Sequence, residues 1–143
     1  MGKTLPSARI LVADDEPRLL HIISMYLELD GFEVRRAIDG EAALALLAAE
    51  EDFDLVILDV MMPGHDGMEV CRRLRADTRT RDIPVLMFTA LSSDADVESA
   101  RQSGATHLIT KPYNLAGLGE LVRMTLIRAA STAYEPAALD VIA

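Results

Sequence analysis

Four consecutive apolar residues, Leu55-Val56-Ile57-Leu58, run directly into a carboxylate, Asp59. Burying an uncompensated charge is expensive, so packing alone does not put an acid there. The run reads as a strand covered on both faces, as strands of a parallel sheet are. Asp59 then stands at the C-terminal end of that strand, the edge at which open α/β sheets bind ligands. Pro63-Gly64 turns the chain soon after.

The rest of the chain fits around such a strand. Arg9-Ile-Leu-Val-Ala13 is a short, branched apolar run and ends in Asp14-Asp15-Glu16-Pro17. Pro17, behind acidic residues that can cap, marks a helix start. Leu19, Ile22, Ile23, Tyr26 and Leu27 recur at helical spacing until Gly31 stops the helix. Phe32 to Arg35 alternates and reads as a strand with one half-exposed face. Asp39-Gly40 opens a second helix, carried by Ala42, Ala43, Leu44, Leu46 and Leu47. After the central strand, Met68, Cys71 and Leu74 form the buried side of a third helix. Ile83 to Phe88 is a strand with Pro84 near its start, where proline is tolerated, and it ends in Thr89-Ala90. A weakly apolar fourth helix runs from about Ser92 to Ser103, and Gly104 breaks it. Thr106 to Ile109 is a short strand that leads into Thr110-Lys111-Pro112. The last helix spans about Asn114 to Ala130, with Leu115, Leu118, Leu121, Val122 and Thr125 inward. Strand and helix thus alternate five times, which predicts a parallel sheet with helices on both faces.

Composition narrows the function. A chain of 143 residues suffices for one domain with a sizeable core. No apolar run approaches the ~18 residues needed to span a membrane. Met1 to Ala8 carries Pro6 and leads straight into a strand, so it does not read as a signal peptide. The single cysteine, Cys71, excludes an internal disulfide and fits a reducing compartment; its helical spacing makes it a core residue. The net charge of -9 argues against nucleic-acid binding. Arg72, Arg73 and Arg75 read as the solvated face of a helix.

The strand ends carry the chemistry. The first delivers Asp14 and Asp15, the third Asp59, the fourth Thr89 and the fifth Lys111. Each has a plain structural reading as a cap, a strand-end hydroxyl or a turn. Five at equivalent ends are hard to explain that way. Crowded carboxylates repel, so a proton or a hard cation belongs among them. An all-oxygen set suits Mg²⁺, which prefers to share phosphate oxygens, and no histidine or cysteine cluster favours zinc. A carboxylate can attack phosphorus to give an aspartyl phosphate. Lys111 can hold a phosphoryl oxygen as a point charge, and Thr89 can donate a hydrogen bond to another.

These motifs resemble the receiver domains of two-component response regulators. The matching residues are Asp14-Asp15, the stretch Asp59-Val-Met-Met-Pro63-Gly-His-Asp66-Gly67, Phe88-Thr89-Ala90 and Thr110-Lys111-Pro112. The resemblance covers about residues 7 to 130. It implies a flavodoxin-like α/β fold, a (βα)5 doubly wound five-stranded parallel sheet of order 2-1-3-4-5. It implies a receiver over residues 1–130, followed by a tail or linker stub at 131–143. In such a domain Asp59 accepts a phosphoryl group from a sensor histidine kinase or histidine phosphotransfer protein, and the switch regulates an output. Asp15 and Asp59 bind Mg²⁺ (or Mn²⁺) through side chains and Met61 through its backbone carbonyl; Asp14 acts on the metal mainly through water. Thr89 and Lys111 grip the phosphoryl group. The domain is no enzyme beyond self-catalysed phosphotransfer and autodephosphorylation. The family also implies a cytoplasmic protein with no membrane contact and a homodimer through the fourth helix, fifth strand and fifth helix.

One position departs from the family pattern. Three residues before the lysine, where an aromatic ring is usual, stands Leu108. It has no ring and no hydroxyl, which bears on output coupling rather than on phosphorylation. Of the histidines, His107 reads as an exposed strand residue, His21 as a surface or boundary residue, and His65 as a loop residue near the site. Two other classes fit worse. An aspartyl-phosphate phosphatase needs a general acid near the nucleophile, yet the residue two beyond Asp59 is Met61. A flavin phosphate would be repelled by Ala13-Asp14-Asp15-Glu16. The remaining alternative is a receiver that binds partners without phosphorylation; the complete site argues against it and Leu108 for it.

Overall fold

The computed structural model describes residues 8–50, 52–90, 93–110, 114–130 and 140–142. The elements run β1 (Arg9–Ala13), α1 (Pro17–Leu29), β2 (Glu33–Ala37), α2 (Gly40–Ala49), β3 (Leu55–Asp59), α3 (Gly67–Ala76), β4 (Val85–Thr89), α4 (Asp94–Ser103), β5 (His107–Thr110), α5 (Leu118–Ala129) and β6 (Asp140–Ile142). A single 3-10 turn, Leu115–Gly117, precedes α5, so the expected last helix divides in two.

All strand pairs are parallel, and the order is β2-β1-β3-β4-β5-β6. The expected order 2-1-3-4-5 holds, and the sheet gains a sixth strand on the far side of β5. The segment from 131 onward had no legible period because Val141 and Ile142 are too few to show one. Residues 131–139 lie outside the described residues.

Burial follows from position. Every residue of β3 and β4 is buried, as two-sided cover by helices requires. Alternate side chains point to opposite faces. Leu11, Val56, Leu58, Met87 and Leu108 therefore join one core with α2 and α3. Ile10, Ile57, Leu86 and Ile109 join the other with α1 and α5. Edge strand β2 exposes Glu33, Arg35 and Arg36. Cys71 is buried in the first core, and burial pushes its thiol up from its ordinary value.

Two helices begin where aspartates cap them. The side chain of Asp39 accepts a hydrogen bond from the Ala42 N–H at 2.7 Å, and that of Asp66 accepts one from the Glu69 N–H at 2.8 Å. Helix α4 starts two residues later than its sequence suggests, because Ser93 and Asp96 close a reciprocal capping box. Helix α1 opens on Pro17 as expected, but its N-cap residue Glu16 makes no side-chain cap. Instead Asp14 Oδ1 accepts the Glu16 N–H at 2.9 Å.

Two further expectations are corrected. Arg75 is no solvated-face residue: its guanidinium donates to the carbonyls of Gly104 and Arg81, each at 3.0 Å, and to that of Ile83. It ties α3 to the turn before β5 and the loop before β4. His107 is 5% exposed rather than solvated. Alternation puts it on the same face as Ile109, towards α5, and β5 lies between two strands rather than at the sheet edge.

Candidate functional site

The sheet order brings the ends of β1, β3 and β4 side by side. Ala13 lies level with Leu58, so Asp14 follows β1 just where Asp59 completes β3. Asp59 is level with Phe88, and Thr89 comes one residue later. Thr89 is in turn level with Thr110, the residue before Lys111. Lys111 itself lies outside the described residues.

Asp14 is 2% exposed, Asp59 5% and Thr89 1%, whereas Asp15 is open to solvent. One oxygen from each of Asp14, Asp15 and Asp59 lies within 4.8 Å of the others. Backbone groups hold the arrangement. The Asp14 N–H donates to the Ala37 carbonyl at 3.1 Å, and the Val60 N–H donates to the Phe88 carbonyl at 2.9 Å. The Met61 N–H donates to Asp59 Oδ1 at 3.2 Å, so the loop folds back over the carboxylate. The Met61 side chain is exposed.

Three carboxylate oxygens at this spacing form a concentrated negative site, and they are hard donors. They fit a small oxygen-loving cation such as Mg²⁺ or Mn²⁺, held by few protein groups and leaving positions for water or phosphate oxygens. Burial of two of the three makes such compensation more valuable than it would be in bulk water.

Two glycines, Gly40 and Gly67, shape the site by close backbone approach. A Cβ on Gly67 would stand 2.4 Å from the Asp59 carbonyl oxygen. A Cβ on Gly40 would stand 1.9 Å from the carbonyl oxygen of His65. Each follows a capping aspartate, so the pairs Asp39-Gly40 and Asp66-Gly67 let a helix start and also let it press against the loop after β3. His65 is partly exposed, and its Nδ1 lies 2.7 Å from Glu69 Oε2. That hydrogen bond holds the Glu69 carboxyl below its ordinary range. His21 is exposed on α1, with Nδ1 3.4 Å from an Arg36 nitrogen.

A 2-1-3-4-5 core with acids at the ends of β1 and β3 defines a class: doubly wound α/β domains with a site at the carboxyl edge of the sheet. The family model of the response regulator receiver domain matches residues 10–123, and the chain belongs to that family. It is 44% identical over 120 residues to the DNA-binding dual master transcriptional regulator RpaA of Synechocystis, covering 84% of this chain and 49% of that protein. It is 42% identical over 125 residues to the response regulator PleD of Caulobacter vibrioides, covering 85% of this chain and 27% of that one. The chain thus spans half or less of these relatives. Among solved structures it is similar to the receiver domain of a signal transduction histidine kinase from Syntrophus aciditrophicus, with a TM-score of 0.81, 32% identity, and cover of 90% and 97% of the two chains. It is also similar to the chemotaxis protein CheY4 of Vibrio cholerae, with a TM-score of 0.78, 31% identity, and cover of 83% and 98%. The protein is therefore a receiver domain of phosphorylation-based two-component signalling. Among the described residues, no helix is long and apolar enough to cross a membrane.

Proposed function

We propose that Asp59 is the phosphoacceptor, served by Thr89 and Lys111, in a Mg²⁺- or Mn²⁺-dependent transfer from a histidine kinase or histidine phosphotransfer protein. The observation that carries this reading is the cluster of Asp14, Asp15 and Asp59 at the ends of adjacent strands. A carboxylate oxygen of Asp59 attacks phosphorus as the P–N bond to the donor imidazole breaks, and that nitrogen leaves with the bonding pair. The hydrogen bond from the Met61 N–H to Oδ1 orients the carboxylate for attack. Thr89 donates to one phosphoryl oxygen and Lys111 neutralises another. Asp15, Asp59 and the Met61 carbonyl would hold a divalent ion, with Asp14 acting mainly through water, and the ion would supply charge neutralisation to the transferring group. Hydrolysis of the acyl phosphate at the same site returns the domain to rest, and the chain catalyses nothing further.

We place the partner surface on α1. Helix α1 begins beside Asp14 and exposes Ile22, Met25, Tyr26 and Leu29 at positions i, i+3, i+4 and i+7. A stripe of that spacing takes a helix of another protein. A buried thiol and a cytosolic phosphodonor fit a cytoplasmic protein; this chain itself binds neither nucleic acid nor membrane, and dimer contacts fall on α4 and α5, because β6 already takes the outer edge of β5.

Incubation with acetyl phosphate, with and without Mg²⁺, followed by intact mass measurement, tests the reading. The expected result is a Mg²⁺-dependent gain of about 80 Da that the Asp59→Asn variant lacks. No gain in any condition overturns phosphoacceptance and leaves a phosphorylation-independent binding module.

A further inference from the structure

We infer that residues Asp140–Ile142 form a removable intramolecular cover that closes the β5 edge to strand addition by another chain. The observation is β6 itself, paired parallel to β5 with His107 level with Asp140, Leu108 with Val141 and Ile109 with Ile142.

Among the described side chains, both cores are built by β1 to β5 and the helices. Val141, the middle residue of β6, is 49% exposed. Its pairing therefore rests on backbone hydrogen bonds rather than on a buried side chain at that position. Such bonds replace bonds to water and contribute little net stability each, while ordering the segment opposes them. A three-residue strand held in this way opens locally, without unfolding the domain.

Its place on the sheet gives the cover consequence. An open β5 would present unpaired N–H and C=O groups along His107-Leu108-Ile109, a template for any extended segment. The same strand ends at Thr110, level with Thr89 of the carboxylate site. The edge is thus closed by the chain's own tail, in cis, on the strand nearest the end of the site. Ten residues, 130–139, join α5 to the cover. A tether of that length keeps it at an effective concentration in the millimolar range, enough to outcompete dilute strangers.

Amide hydrogen exchange followed by NMR on the full chain tests this, comparing the protein with a double variant, Val141→Pro and Ile142→Pro. Every second N–H of a strand faces a given neighbour, so two adjacent prolines remove the β6 donor whichever register parity holds. The expected result is at least about tenfold faster exchange at alternate amides of His107–Ile109, with Ile10–Ala13 and Leu55–Asp59 protected as before. A synthetic peptide of residues 134–143, added at millimolar concentration to the variant, is expected to restore that protection. Unchanged exchange in the variant would mean that β6 covers nothing. Loss of protection across the whole sheet would mean that β6 is an integral strand. Failure of the peptide to protect would mean that the edge accepts no strand. Each of these overturns the inference.

Discussion

Gly67 packs so close to Asp59 that a methyl group there would stand 2.4 Å from the Asp59 carbonyl oxygen and 3.0 Å from its carbonyl carbon. Both obstacles are backbone and cannot swing aside. Gly67→Ala is therefore expected to destabilise the domain by about 1–3 kcal/mol, although alanine is ordinarily the better helix residue. Chemical denaturation checks the stability. Phosphoryl uptake from acetyl phosphate should slow in parallel, because the Asp59 backbone must shift to make room.

Crowding of Asp14, Asp15 and Asp59 makes a second expectation. Asp59→Asn removes one of three like charges and should raise stability in metal-free buffer. Mg²⁺ should stabilise the unaltered protein by about 2.7 kcal/mol at a hundredfold excess over its Kd, and the variant by much less. Thermal unfolding with EDTA and with MgCl₂ reads both effects.

Leu108 is fully buried in the core shared with α2 and α3. Leu108→Ala should cost about 2–5 kcal/mol, the usual range for a leucine truncated in a core. Phosphoryl uptake per folded molecule should be unchanged, since Leu108 holds no phosphate oxygen. Urea melts combined with intact mass separate the two. Equal losses in both would place Leu108 in the chemistry.

A charged cluster far from the site sets an acid limit. Glu50 accepts hydrogen bonds from Arg9 at 2.7 Å and Arg35 at 2.9 Å, joining the end of α2 to β1 and β2. Arg9 first, then Arg35, hold its carboxyl below the ordinary 4.5. The folded state thus binds this proton less readily than the unfolded state. The stability it contributes is fully present above about pH 4.5 and is lost as pH falls through the lower folded value. Glu50→Gln should lower stability near neutral pH and flatten its dependence below pH 4.5. Urea titrations at several pH values decide it.

Much of this was legible in the residues. Strand ends announced themselves because a buried apolar run that stops at an acid or hydroxyl has few structural reasons to do so: Ala13 to Asp14, Leu58 to Asp59, Phe88 to Thr89. Helix starts were legible at Pro17 and Asp39, where local backbone chemistry decides. What long-range packing decides was not legible. The contacts of Gly40 and Gly67 depend on how close a helix comes to a distant loop. Arg75 looked like its neighbours Arg72 and Arg73, and only the fold brings three carbonyls to it. His107 looked exposed because β6 was not visible in a tail of small residues.

The outer edge of β2 has a bearing on how the protein survives at high concentration. Glu33, Arg35 and Arg36 line that strand, and their ion pairs with Arg9, Glu50 and Glu28 keep charged groups along it. A second sheet approaching this edge would have to strip water from those charges, so aggregation is discouraged there at all times. Neutralising Arg35 and Arg36 together would therefore be felt first as inclusion bodies on overproduction rather than as lost signalling.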